Sequence, residues 1–205
     1  MATRIVLFDL GNVVLDWQPL RLYRQRFDDP AEADRFVAEV CTMDWHKAHD
    51  RGVPMAENAK ALIAAYPHYE GHIRAWGEEW METFHGYVPG MPALIARLEE
   101  ARRPLYALSN MPAETVRATI DGFPMLKVFR DIVVSGLEGV IKPEREIYDI
   151  ALARMGLPDP DDVLFVDDRE ENVDAAVAIG MKGHVFVSSS VLAEELLKLG
   201  LLSPD

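Results

Sequence analysis

Cysteine is almost missing from this 205-residue chain: Cys41 stands alone. No internal disulfide can form, and the usage fits a reducing compartment. Its neighbours Phe36, Val37 and Val40 are apolar, so Cys41 reads as core filler rather than as a nucleophile. Basic residues are scarce too. Twenty-one Lys and Arg stand against 34 Asp and Glu, a net charge of −13, and such a surface repels nucleic-acid phosphates and anionic lipid. A small anionic substrate is still allowed, because a local lysine, a helix N-terminus or a metal ion can overrule the global field. Long apolar runs are also absent. The early one, Ile5 to Phe8, stops at Asp9, too short for a membrane span or a signal-peptide core. These absences predict a soluble, cytoplasmic protein with neither nucleic-acid nor membrane partners, as a monomer or homodimer. The composition is otherwise that of a globular domain, without repeats or low-complexity linkers.

What is present is a rhythm of short apolar strands. Residues 4–8, 105–108, 132–134, 163–166 and 184–187 each read as a strand buried on both faces. Helical patterns follow near 90–102, 112–121, 144–155, 170–179 and 190–200, with Gly180 placed as a C-terminal stop. Alternation of this kind predicts an α/β fold, a parallel sheet core with helices on both faces. Residues 16–87 break the rhythm. They hold all four tryptophans and read as helices only, with Asp29-Pro30-Ala31-Glu32 as a helix start. The reading divides the chain into a core of 1–15 and 88–205 and an inserted, all-helical cap of 16–87.

Ligands of open α/β sheets bind beyond the carboxyl ends of the strands. The residues there are Asp9-Leu10-Gly11-Asn12, Ser109-Asn110, Lys142 before Pro143, and Asp167-Asp168. Three acids, a hydroxyl and a cation, far apart in sequence, are thereby brought to one sheet edge. Taken singly, each has a plainer explanation: Asp167-Asp168 and Ser109-Asn110 as helix caps, Lys142 as a solvated lysine. Their company changes the reading.

Four ordered motifs, Phe8-Asp9-Leu10-Gly11-Asn12-Val13, Leu108-Ser109-Asn110, Ile141-Lys142-Pro143 and Phe165-Val166-Asp167-Asp168-Arg169-Glu170-Glu171-Asn172, resemble those of the haloacid-dehalogenase-like hydrolase superfamily. The resemblance covers essentially the whole chain. It implies a Rossmann-like core with a small four-helix cap, and a carboxylate nucleophile, Asp9, that takes up phosphorus before water hydrolyses the aspartyl-phosphate. Implied further are Mg²⁺ held by Asp9, the main-chain carbonyl of Gly11, and Asp167 or Asp168; Lys142 balancing charge; and Ser109 with the Asn110 N–H on the phosphoryl oxygens. The substrate would be a small phosphate ester.

One position departs from the pattern. Phosphatases of this superfamily usually carry a second aspartate two residues after the nucleophile, to protonate the leaving oxygen, and here that residue is Gly11. The run Asp-Leu-Gly-Asn-Val resembles a branch that includes bacterial glucose-1-phosphate phosphatases, suited to better leaving groups such as an anomeric phosphate. His46, His49, Asp44 and Asp50 of the cap are alternative acids, with His46 and His49 expected to contact substrate. His68 and His72, Arg21 and Arg24 read as surface residues, Trp76 and Trp80 as the cap's own core, and Asn172 as a residue that holds the loop after the fourth strand. Two other functions remain open: a metal-independent 2-haloacid dehalogenase, since a halide needs no proton, and a catalytically silent interaction module. The acid pair Asp167-Asp168 argues for a cation and against the first.

Overall fold

Short branched and aromatic runs bounded by polar residues form the strands of the computed structural model, which describes residues 4–203. Strand β1 (Ile5–Phe8) leads into β2 (Leu15–Trp17). Five helices follow: α1 (Pro19–Arg26), α2 (Pro30–Glu39), α3 (Met43–Asp50), α4 (Met55–Ala65) and α5 (Glu70–Glu78). Strand β3 (Phe84–Tyr87) then pairs antiparallel with β2 and closes this excursion. The remainder alternates: α6 (Met91–Glu100), β4 (Leu105–Ser109), α7 (Val116–Gly122), β5 (Ile132–Val134), α8 (Ser135–Glu138), α9 (Arg145–Arg154), β6 (Val163–Asp167), α10 (Glu170–Ala178), β7 (Lys182–Val185) and α11 (Ser189–Lys198).

The main sheet is parallel, in the order β5-β4-β1-β6-β7. Strands β5, β4, β1 and β6 are largely apolar because each face is covered, with alternate residues serving different layers, whereas the edge strand β7, Lys182-Gly183-His184-Val185, is only partly buried. Val6, Phe8, Leu105, Ala107, Leu164 and Val166 pack against α6 and α11. Leu7, Leu108, Val163 and Phe165 pack against Ile147 and Tyr148 of α9. Register then aligns the strand ends. Phe8 stands opposite Ala107 on one side and Val166 on the other, so Asp9, Ser109 and Asp167 come out at one edge. That edge is also where the chain order reverses, with β1 flanked by β4 and β6, and this is where such sheets bind ligands.

The helices α1–α5 have a hydrophobic cluster of their own, built on Tyr23, Phe36, Ile73 and Trp76, with Tyr23 and Phe36 ring centroids 4.7 Å apart. Pro30 begins α2 and the Asp29 carboxylate accepts from Ala31 N–H, the start read from the sequence. Cys41 lies fully inside this cluster, and burial pushes its thiol up to about 12, the behaviour of an inert filler. Gly180 adopts φ +98° just past α10, as a helix stop requires.

Three expectations need correction. Residues 16–87 are not purely helical, since β2 and β3 bracket the helices. Three and four residues long, with Asp16 and His85 inside them, these strands carry no alternation to read and form only through each other. Trp80 belongs to the large core cluster and donates to Thr119 Oγ1 at 3.1 Å, whereas Trp76 stays with α1–α5. The last strand starts at Lys182 rather than His184. Its Gly183 misled the reading: a Cβ there would meet Val173 Cγ1 at 2.4 Å, so a glycine lets α10 pack tightly. Of the core assigned to 1–15 and 88–205, positions 1–3 and 204–205 lie outside the described residues.

Three loops converge beside the sheet edge. Met111 N–H donates to Ser135 Oγ at 3.0 Å, and Gly136 N–H donates to Met111 O at 3.1 Å. A Cβ on Gly136 would lie 2.4 Å from Ala113 N, and one on Gly52 would lie 2.7 Å from Gly136 O. Backbone here has no room to yield. Gly136→Ala should therefore cost about 1–3 kcal/mol by overpacking. Gly71→Ala in α5, where a Cβ meets nothing, should stabilise by up to about 1 kcal/mol. Urea unfolding of the two variants reads both signs.

Candidate active site

The first acid follows β1 directly. Asp9 Oδ1 accepts from Leu10 N–H at 2.7 Å and from Lys142 Nζ at 2.7 Å, which fixes the orientation of the carboxylate. Lys142 reaches in from the segment between α8 and α9. Its ammonium also meets Asp167 Oδ2 at 2.7 Å and Leu108 O at 3.0 Å, 5.7 Å from the Phe165 ring centroid. All three protons are used, and the residue is 3% exposed.

Asn110 holds this lysine from outside. Its Oδ1 accepts from Lys142 N–H at 2.8 Å and its Nδ2 donates to Lys142 O at 3.1 Å, while the Lys142–Pro143 peptide is cis. Asn172 does the same for Asp167, donating to both carboxylate oxygens at 3.0 and 3.1 Å. Arg169 N–H adds a third bond at 2.9 Å. Tyr148 anchors Asn172 in turn, donating to its carbonyl at 2.8 Å. The fully buried Asp167 thus has both oxygens engaged within the protein, whereas Asp168 lies further out.

Asp9, Asp167 and Asp168 each present an oxygen within 4.8 Å of the others. Three carboxylates around one ammonium leave an excess of negative charge. Burial pushes Asp9 up to about 7, with Lys142 opposing and Asp167 and Asp168 adding to it. Asp168 is raised by burial and then by Asp167. Burial alone would lower Lys142, but Asp9 and Asp167 more than reverse this and hold it charged above its ordinary range. An all-oxygen, electron-rich donor set of this kind suits a hard divalent cation such as Mg²⁺. The residues present fit the metal expected from the sequence.

Ser109 ends β4, and its hydroxyl has no hydrogen-bond partner among the described residues. With Gly11, Asn110 and Thr119 it lines a small cavity of about 40 Å³ whose other walls are apolar or aromatic, Trp17 and Trp80 among them. Asn110 differs from expectation. No helix starts beside it: a helical turn begins at Ala113 and α7 at Val116. The cap-like sequence signal is satisfied instead by the distant Lys142 backbone, so the side chain positions the lysine.

His46 and His49 differ as well. His46 is 2% exposed. Its Nδ1 accepts from Trp76 Nε1–H at 3.0 Å, and its Nε2 lies 3.3 Å from Asp50 Oδ1. Trp17 and Trp80 flank its ring. His49 Nε2 meets Asn58 Nδ2 at 2.8 Å and the ring lines a larger cavity, about 250 Å³, between α3–α5 and the Glu114–Thr115 turn. Burial pushes His46 down to about 3 and His49 down to about 4, so both are neutral near pH 7. They face the apolar side of α3 and offer no positive charge to a phosphate. Asp44 is fully exposed and pairs with Lys47. His72 stacks on Phe27 at 4.2 Å, Arg24 pairs with Asp34, and Arg21 donates to Phe84 O.

One joint was not anticipated. Arg51, just past α3, forms a bidentate pair with Glu144, two residues beyond Lys142. The helical excursion is thereby tied to the segment that delivers the lysine. Gly52 at φ +89° was the available signal.

Residues 3–180 match the family described as haloacid dehalogenase-like hydrolase. A sesquiterpene phosphatase of Aspergillus oryzae is 25% identical over 202 residues, 96% of each chain. Among solved structures, the HAD family enzyme BT-2542 of Bacteroides thetaiotaomicron, in complex with magnesium and inorganic phosphate, superposes with a TM-score of 0.71 at 19% identity, covering 91% of this chain and 96% of that one. An L-2-haloacid dehalogenase of Xanthobacter autotrophicus superposes with a TM-score of 0.66 at 18% identity, covering 96% and 83%.

The depressed His46 has a measurable consequence. The unfolded chain takes up its proton near pH 6.5, whereas the folded one resists until about 3. The unfolded state therefore binds more protons across that window, and stability falls as pH falls, by up to about 1.4 kcal/mol per unit. His46→Gln removes this contribution. Urea unfolding at pH 7, 6 and 5 should show the stability gap between wild type and variant narrowing as the solution is acidified. A gap constant with pH would contradict the buried, neutral imidazole.

Proposed function

The chain belongs to the haloacid dehalogenase-like hydrolases, and from that premise we propose that it is a Mg²⁺-dependent phosphomonoesterase acting on a small phosphate ester through an aspartyl-phosphate at Asp9. The observation that carries this reading is the Lys142 ammonium bridging Asp9 and Asp167 with Asp168 alongside. A lone nucleophilic carboxylate would not need two further acids. A set of acids that gathers a cation does, because an anionic phosphoryl group must approach an anionic nucleophile.

Asp9 attacks phosphorus, its carboxylate aligned by the Leu10 N–H and its ionised form favoured by Lys142. Ser109 donates its free hydroxyl to a phosphoryl oxygen. Asn110 and Asn172 fix Lys142 and Asp167 so that neither has to reorganise during reaction. Mg²⁺, held by Asp9, the Gly11 carbonyl and Asp168 with Asp167 behind them, supplies the remaining positive charge when bound. Residues 16–87 serve as a cap over the core of 1–15 and 88–205. Shielding of the site from bulk water would protect the acyl phosphate.

Two substrate readings have separate support. The run Asp9-Leu10-Gly11-Asn12-Val13, which resembles the glucose-1-phosphate phosphatase branch, favours a sugar 1-phosphate with its good leaving group. The apolar walls of the cavity beside Ser109 favour an apolar alcohol, in line with the named activity of the Aspergillus relative. A metal-independent dehalogenase leaves Asp168 without a task and ranks below both.

Phosphate release from a panel of sugar 1-phosphates, sugar 6-phosphates and isoprenyl phosphates should appear with Mg²⁺ and vanish with EDTA. Asp9→Asn should lower turnover by at least about 1,000-fold with an unchanged circular dichroism spectrum. Lys142→Ala should lower it by about 100-fold or more. Metal-independent release, or substantial turnover by Asp9→Asn, would overturn the assignment.

A further inference from the structure

We propose that Asp50 of α3, positioned by His46, is the proton donor to the leaving oxygen, the task for which Gly11 has no side chain; the inference rests on the phosphatase reading above. Gly11 leaves open space beside Asp9: a Cβ built there meets nothing within 4 Å. No carboxyl reaches that space from its own loop. The end of α3 brings a carboxyl, Asp50, to the joint with the facing segment. Arg51 pairs with Glu144 and Gly52 lies against Gly136, so residues 50–52 dock onto the same 136–144 segment that carries Lys142. Asp50 is 5% exposed, one residue before Arg51 at this joint.

The chemistry of the surroundings suits the task. Trp76 Nε1–H occupies His46 Nδ1, so the neutral imidazole carries its proton on Nε2, 3.3 Å from Asp50 Oδ1. That approach is too poorly aligned to satisfy the oxygen, which is buried and makes no well-formed hydrogen bond among the described residues. A buried carboxyl short of partners holds its proton until another acceptor arrives. Burial accordingly pushes Asp50 up to about 7, with Lys142 opposing. The charged and titratable groups around it are His46 and His49 on its own helix, Arg51 at the helix end, and Lys142 and Glu144 on the facing segment.

The step balances as follows. An oxygen of Asp9 bonds to phosphorus as the ester P–O bond breaks, and the Asp50 proton passes to the departing alkoxide, giving the alcohol. Asp50, now ionised, takes a proton from the water that attacks the aspartyl-phosphate. Phosphate and free Asp9 result, with Asp50 protonated again.

The test compares two esters that differ in their need for a proton. With glycerol 2-phosphate, whose alcohol must be protonated as it leaves, Asp50→Asn should lower kcat/KM by about 100-fold or more. The wild-type fall in rate as pH rises past neutrality should disappear. With 4-nitrophenyl phosphate, whose 4-nitrophenolate departs as a stable anion, the same variant should lose less than about 5-fold in kcat/KM, which does not include the later hydrolysis of the aspartyl-phosphate. His46→Gln should move the alkaline limb of the glycerol 2-phosphate profile, which a purely structural role would leave in place, and this readout serves if Asp50→Asn fails to fold. Gly11→Asp, placed in the open space, should restore glycerol 2-phosphate turnover to Asp50→Asn. Equal losses on both esters, or none on glycerol 2-phosphate, overturn the inference alone. Wild-type protein that releases phosphate from neither ester overturns the phosphatase reading and this inference with it.

Discussion

The buried ammonium of Lys142 is the interaction on which this structure turns. One group with three protons meets Asp9, Asp167 and the Leu108 carbonyl. It thereby ties the ends of β1, β4 and β6 to the segment between α8 and α9. A charge removed from water this completely is tolerated only when each donor finds an acceptor. Every other contact around it secures that condition. Asn110 grips the lysine backbone from both sides, and Asn172, itself held by Tyr148, grips Asp167. Removing the lysine would strand two buried carboxylates; removing either carboxylate would leave one of the ammonium's three protons without an acceptor. The site and the sheet edge therefore stand or fall together.

The parallel register makes this possible, and the helical excursion completes it. Register sets Asp9 level with Asp167 and Ser109 one residue further along β4, and a strand slipped by one residue would break this arrangement, since a slip exchanges the faces. The loops beyond the strands need a different device. Glycines at 52 and 136 let three backbone segments approach closer than any side chain would allow, and the Arg51–Glu144 pair spans the same joint. The excursion is thus fixed to the core at the segment that delivers the lysine.

Much of this was legible in the residues. Strands buried on both faces are continuous apolar runs, and a polar residue at the end of each is visible without coordinates. Asp9, Ser109, Asp167 and Asp168 could be named on that basis, Lys142 from the connection after β5 before Pro143, and the parallel sheet followed from alternation. Legibility failed where tertiary contact decides. Asn110 carries the local signature of a helix start, yet Lys142, 32 residues away, claims its side chain. His46 and His49, in a polar stretch, read as substrate contacts, but they share the side of α3 that packs with Trp45, Trp76 and Trp80. Their spacing alone does not say which side is wet. Strands β2 and β3 were invisible because each exists only as the partner of the other.

Gly11 is the residue that composition and fold leave unexplained until chemistry is considered. Its backbone is not left-handed, so conformation does not demand glycine. Nothing lies within reach of a Cβ, so packing does not demand it either. What the missing side chain leaves is space between Asp9 and an apolar wall that includes Leu10, Trp17 and Trp80. A carboxylate at that point would set a fourth acid beside Asp9, Asp167 and Asp168, already crowded enough to raise Asp9 well above its ordinary range. It would also put a charge against that apolar wall. With position 11 empty, the acid and the room for the leaving group are no longer the same residue, and the donor can come from α3, where burial keeps a carboxyl protonated near neutrality.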